Sequence, residues 1–187
     1  ISLMTAQLPD RFYYQHADFV LIGSYGDNLP CPHDYGLDVG LWHTASNAGY
    51  VNTYAVEHDR LMLHQIQFGG FFDDRRPQIN GVKPRQTIKP HFDIWFPWFS
   101  KSSFLRYIML PTLKLYRSDW IYKNLRLPIS FTGGMLIGKG AKRPLAHIRG
   151  PFDYETVVAL RFADGVLAQA IDRSGKVANI RKQDSND

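Results

Sequence analysis

The chain has 187 residues, of which 44% are hydrophobic, 14% aromatic and 21% charged, with a net charge of +5. These proportions fit one folded domain over residues 1–187 with a sizeable core, and they exclude a disordered, collagenous or membrane-spanning chain. The single cysteine, Cys31, excludes an intrachain disulfide framework, no apolar stretch approaches about 18 residues, and no signal core is visible, so a cytoplasmic setting is expected.

In chain order, Arg11 to Gly23 contains the runs Phe12-Tyr13-Tyr14 and Phe19-Val20-Leu21-Ile22 around the polar turn Gln15-His16-Ala17-Asp18, which predicts a hairpin. Glycines and prolines, including Pro30 and Pro32 around Cys31, make Gly23 to Gly40 a loop. A second hairpin follows, with Gly49 to Val56 as its first strand, Glu57 to Arg60 as its turn and Leu61 to Ile66 as its second strand; apolar residues fall on both faces. Phe71 to Lys89 reads as turns joining short extended pieces. In His91 to Tyr122, Pro111 breaks any single helix, leaving two short segments. Leu127 to Ile137 reads as a strand pair or bulged strand around Gly133-Gly134, and Tyr154 to Ile171 as a third hairpin turning at Asp164-Gly165. One or two helical turns are expected from Lys176 to Gln183, and disorder in the last four residues. The fold class is therefore mainly β (β-rich α+β), a sheet or sandwich of antiparallel hairpins, with an aromatic-basic insertion at about 90–125.

The charge is unevenly placed. Residues 1–80 hold 4 Lys/Arg against 9 Asp/Glu, whereas residues 81–145 hold 12 against 2. Three of the four tryptophans fall in the basic stretch, where Trp95, Trp98 and Trp120 interleave with Arg106, Lys114 and Arg117. Cations among aromatics suit a protein interface, single-stranded nucleic acid or a membrane interface. The same pattern also arises when the aromatics are core and the cations a solvated face. The acidic N-terminal portion can neutralise the basic stretch, which places a protein interface ahead of nucleic acid or a membrane surface.

Thr44, Gly49-Tyr50-Val51, Thr53-Tyr54 and Leu61-Met62-Leu63 resemble a group of bacterial proteins of unassigned function, whose pattern is an aromatic-rich Gly-Tyr strand, a turn and a Leu-x-Leu strand. Ser130 to Ile137 and the hairpin Tyr154 to Ile171 continue the likeness, and Pro90 to Tyr122 looks like an insertion into it. The resemblance implies a β-rich bacterial domain and brings no catalytic residue with it.

Catalytic and metal motifs are weak. Cys31 lies near His33 and Asp34, but residues two apart in an extended chain rarely meet in hydrogen-bond geometry. The seven histidines, His16, His33, His43, His58, His64, His91 and His147, have no diagnostic spacing with Asp34, Asp38 or Asp93, so neither a metal nor another cofactor is expected. Glu57 and Glu155 are the only glutamates and suggest no carboxylate pair. Gly133 to Gly140 has the wrong order for a phosphate loop. The leading expectation is a non-enzymatic interaction protein, an accessory or immunity-type partner of another protein, binding through Trp95, Trp98, Arg106, Lys114, Arg117 and Trp120. The alternative is a small hydrolase or metal-dependent enzyme with a site assembled from scattered His and Asp.

Overall fold

Arg11–Tyr14 alternates exposed Arg11 and Tyr13 with buried Phe12 and Tyr14, the period of two that defines a half-buried strand. This is β1 in a computed structural model that describes residues 8–39, 49–70, 76–87, 118–143 and 150–184. The other strands are β2 (Ala17–Gly26), β3 (Tyr50–Glu57), β4 (Arg60–Gly70), β5 (Arg85–Thr87), β6 (Ser118–Pro128), β7 (Gly133–Ala141), β8 (Tyr154–Ala163) and β9 (Val166–Asp172). One helix, α1 (Ser174–Asp184), follows. The three expected hairpins are β1–β2, β3–β4 and β8–β9, and the fold is mainly β in a large mixed sheet.

The sheet curls until its ends meet. Strands run β3-β1-β2-β7-β8-β9-β4, and β4 pairs again with β3, so seven strands form a closed ring. The β9–β4 seam is short: Arg60 faces Val166, Leu61 N donates to Gly165 O at 2.8 Å, and Leu167 N donates to Asp59 O at 2.7 Å. β6 pairs with the rest of β4 and carries β5 outside the ring. The β1–β3 pair is parallel, an arrangement that no hairpin signal could announce.

A bulge explains why β4 looked apolar on both faces. His64 is an extra residue: Tyr54 faces Leu63 and Thr53 faces Gln65, with nothing opposite His64. The side-chain phase flips there, so Leu61 and Leu63 before it and Ile66 and Phe68 after it are all fully buried. They pack with Phe12, Tyr54, Tyr122, Phe131, Ile137, Leu160 and Phe162 in one core. Each such burial contributes roughly 1.5–3 kcal/mol.

β6 bulges further at the same level. Lys123 faces Gln65 and Leu127 faces Leu63, leaving Asn124, Leu125 and Arg126 across from His64 alone. Leu125 turns into the core, while Asn124 and Arg126 take positive φ of 60° and 48°. The Asn80 amide holds the bulge by donating to Leu125 O at 2.8 Å.

Gly165 sits under an adjacent crossing. A Cβ there would overlap the Ile129 carbonyl, and φ is +75°. Next to it Thr132 is stitched on three sides: Asp27 Oδ2 accepts its N–H at 2.7 Å, its carbonyl accepts Asp27 N–H, and its hydroxyl accepts Asp164 N–H.

On the ring's outer face, Val177 of α1 packs with Tyr154 and Val157, and Arg181 donates to Phe152 O and Tyr154 O, both at 2.8 Å. Asp172 Oδ1 accepts Ser174 N–H as the helix begins. The helix runs to Asp184, one residue into the stretch expected to be disordered; residues 185–187 lie outside the described residues.

The aromatic-basic insertion expected at about 90–125 overlaps β6 at its C-terminal end. Residues 88–117, which hold most of the two short segments expected between His91 and Tyr122, lie outside the described residues, and Ser118 to Lys123 is sheet, paired with β4. Trp120 and Tyr122 are thus strand residues facing Phe68 and Ile66.

Candidate recognition groove

Two hairpin tips stand side by side because β1 and β3 run parallel. Gln15-His16 joins β1 to β2, and His58-Asp59 joins β3 to β4. All four residues have positive φ, between 47° and 61°. This is the geometry that two-residue hairpins prefer, because its twist matches the strands, and it normally selects Asn-Gly or Asp-Gly. Neither tip contains glycine.

The tips, together with Arg126 from the β6 bulge and Leu167 from β9, enclose a groove of about 540 Å³. Its walls include Tyr13, Tyr14, Glu57, His58, Asp59 and Arg126. Eight non-glycine residues among those described have positive φ, and five of them, Gln15, His16, His58, Asp59 and Arg126, line this groove. Left-handed backbone at residues with a Cβ costs of order 1 kcal/mol or more, and such residues cluster at binding and active sites.

The groove is open, and charged, imidazole and tyrosine side chains stand along its walls. His16, His58, Asp59 and Arg126 are exposed, and Tyr13 is 42% exposed, while Tyr14 below is buried with its hydroxyl accepting from Gln15 Nε2 at 3.2 Å. Glu57 Oε1 lies 3.0 Å from His64 Nε2, without hydrogen-bond alignment. Such a surface offers an aromatic face, two imidazoles, a guanidinium and two carboxylates.

A second polar cluster ties the ring together beneath the Pro30 loop. Asn52 is 1% exposed; its N–H donates to Asp10 Oδ1 at 2.8 Å, and its side-chain amide donates to Pro30 O at 3.1 Å and Tyr54 Oη at 2.9 Å. Its Oδ1 has no hydrogen-bond partner among the described residues. Burial pushes the Asp10 carboxyl up to about 6, partly offset by the Asn52 N–H, and burial followed by the Asp10 charge raises Tyr54. Asp10 also accepts Leu21 N–H through its own carbonyl, so it joins β1, β2 and β3.

The residues singled out from sequence are placed as follows. Trp95, Trp98, Arg106, Lys114 and Arg117 lie outside the described residues, as do His91 and Asp93. Trp120 is half-buried against the core, with the Arg76 guanidinium 5.9 Å from its ring and 5.3 Å from that of Phe68. Cys31 and Asp34 do meet, but as a local cap: Asp34 Oδ2 accepts Cys31 N–H at 2.7 Å at the start of the Pro32–Tyr35 turn, from which His33 points to solvent. Gly133 to Gly140 lies in β7. Among the described residues no group of three or more His, Cys, Asp and Glu converges on a metal position, and no helix is long and apolar enough to cross a membrane.

Compared with known proteins, the chain matches no family model, no curated protein and no solved structure. The sequence reading missed the groove because it weighed His16 and His58 only as metal ligands. The available signal was the two-residue tips themselves, where a paired strand register demands positive φ and the residues supplied are Gln-His and His-Asp.

Proposed function

We propose that the domain is a non-enzymatic protein-recognition module, an accessory or immunity-type partner of another protein, and that the hairpin-tip groove reads that partner. The observation that carries this reading is the gathering of five residues with positive φ around one open groove. A fold that needed only to close two hairpins would gain stability from glycine at these tips; retaining side chains there puts His16, His58, Asp59 and Arg126 on display. Tyr13 and Arg126 supply the aromatic and guanidinium chemistry that dominates protein interfaces. Trp95, Trp98, Arg106, Lys114, Arg117 and Trp120 belong to the same proposal as a further source of anchor residues.

The test uses the tagged domain to isolate its partner and then measures the dissociation constant of the purified pair. His58→Asn and Arg126→Asn preserve tolerance of positive φ while removing the groove chemistry. Each is expected to weaken binding about tenfold. Full affinity in both variants and in Tyr13→Ala would remove the groove from the interface.

A further inference from the structure

The outer face of the ring carries a second groove of about 540 Å³, crossing β2, β7, β8 and β9 beside α1. Its floor is apolar, built from Leu136, Ala159 and Ile171, which project outward from three neighbouring strands. One wall is Tyr25, a residue 71% exposed whose ring occupies the space beside Gly134. A Cβ on Gly134 would overlap that ring, so the glycine lets the tyrosine stand where it does.

The charges are one-sided. Arg161 and Arg173 line the groove, both exposed, and no carboxylate does. Neither guanidinium has an ion-pair partner among the described residues. The carboxylate nearest in sequence, Asp172, is turned to the start of α1, where it accepts Ser174 N–H and is lowered below the usual carboxylate range by the Ser174 hydroxyl and N–H. An apolar floor between two unpaired cations is complementary to an extended chain that alternates apolar and acidic side chains.

We infer that this outer groove binds an acidic, extended peptide segment of a partner protein, with an apolar side chain on the Leu136–Ala159–Ile171 floor and carboxylates reaching Arg161 and Arg173. The surface differs from the hairpin-tip groove in position and in charge, so the domain has two recognition faces.

The experiment is fluorescence anisotropy of the whole chain with three labelled decapeptides, alternating Glu and Leu, Lys and Leu, and Glu and Ser. The Glu-Leu peptide is expected to bind at least about tenfold more tightly than either control, because only it matches both charge and floor. Arg161→Ala and Arg173→Ala are each expected to weaken it about fivefold. Gly134→Ala, which displaces the outer end of the flexible Tyr25 side chain and leaves the strand intact, is expected to weaken it too. His58→Asn is expected to leave this affinity unchanged, which separates failure here from failure of the hairpin-tip reading. Equal binding of the Glu-Leu and Lys-Leu peptides, no binding at millimolar concentration, unchanged affinity in both arginine variants, or equal competition by single-stranded DNA would each overturn the inference.

Discussion

Four two-residue turns among the described residues share one backbone geometry and fall into two chemical classes. Asn80-Gly81 and Asp164-Gly165 have positive φ of 49° and 74°, and 48° and 75°, on the sequences that geometry favours. Gln15-His16 and His58-Asp59 hold φ of 47° and 61°, and 49° and 59°, with a Cβ on every residue. The first class closes a turn at little cost. The second closes one with four side chains lining a groove, at a cost in backbone strain that the first avoids.

The largest effect expected of any test of this comparison is at Gly165, where the left-handed backbone is combined with the Ile129 carbonyl pressed against the missing Cβ. Gly165→Ala is expected to destabilise by about 3 kcal/mol, read as a fall of roughly 6–12 °C in Tm. A fall of only one or two degrees would mean that the crossing beneath this turn yields easily.

Asp10 tests whether a cost can be stored in charge as well as in backbone. Its carboxyl is raised from 3.8 to about 6 by burial, so the folded protein holds the proton more tightly than the unfolded chain. The associated stability is fully present below the unfolded value near 4 and is lost as pH rises through about 6, amounting to about 3 kcal/mol at most. Asp10→Asn keeps the acceptor for Asn52 N–H and removes the charge. Denaturant unfolding between pH 4 and 7.5 is expected to show declining stability in the wild type and a flatter profile in the variant, with the variant the more stable at pH 7.5. Wild-type stability rising with pH over the same interval, relative to the variant, would contradict the burial argument.

Smaller effects belong to the tips. Gln15→Asn with His16→Gly is expected to raise stability by about 1 kcal/mol, or roughly 2–4 °C in Tm, by giving the β1–β2 turn the favoured chemistry. Arg126→Gly relieves the same conformation inside the β6 bulge and is expected to gain about 0.5 kcal/mol, since glycine also loses more chain entropy on folding.

Much of the strand layout was legible because its signals are local. Phe12 and Tyr14 alternate with exposed neighbours, Asp164-Gly165 names its own turn, and the run from Tyr154 to Ile171 contains both strands of its hairpin. What was not legible depends on contacts between distant segments. The parallel β1–β3 pairing brings Arg11 beside Thr53, and the seam that closes the ring rests on Arg60 and Val166, neither of which carries a distinctive pattern. The bulge at His64 hid the core phase of β4 by moving it from Leu63 to Ile66. At Trp120 the reading of the aromatic-basic stretch as core aromatics among cations is the one seen: β-pairing with Phe68 half-buries it and Arg76 lies over its ring. The groove was hidden for the same reason as the seam, since His16, His58 and Arg126 meet only after the ring has closed and β6 has bulged.

Conformational strain in the glycine-free tips is read out by thermal unfolding of two matched variants. Gly81 has φ of +74° and open space around its missing Cβ, so Gly81→Ala reports the cost of a side chain in that conformation with no steric clash. Gly81→Ala is expected to lower Tm by roughly 2–4 °C, and replacing both tips, Gln15→Asn, His16→Gly, His58→Asn and Asp59→Gly together, is expected to raise it by roughly 4–8 °C. An unchanged or lower Tm in the four-substitution variant, alongside the expected fall in Gly81→Ala, would contradict strain at the tips.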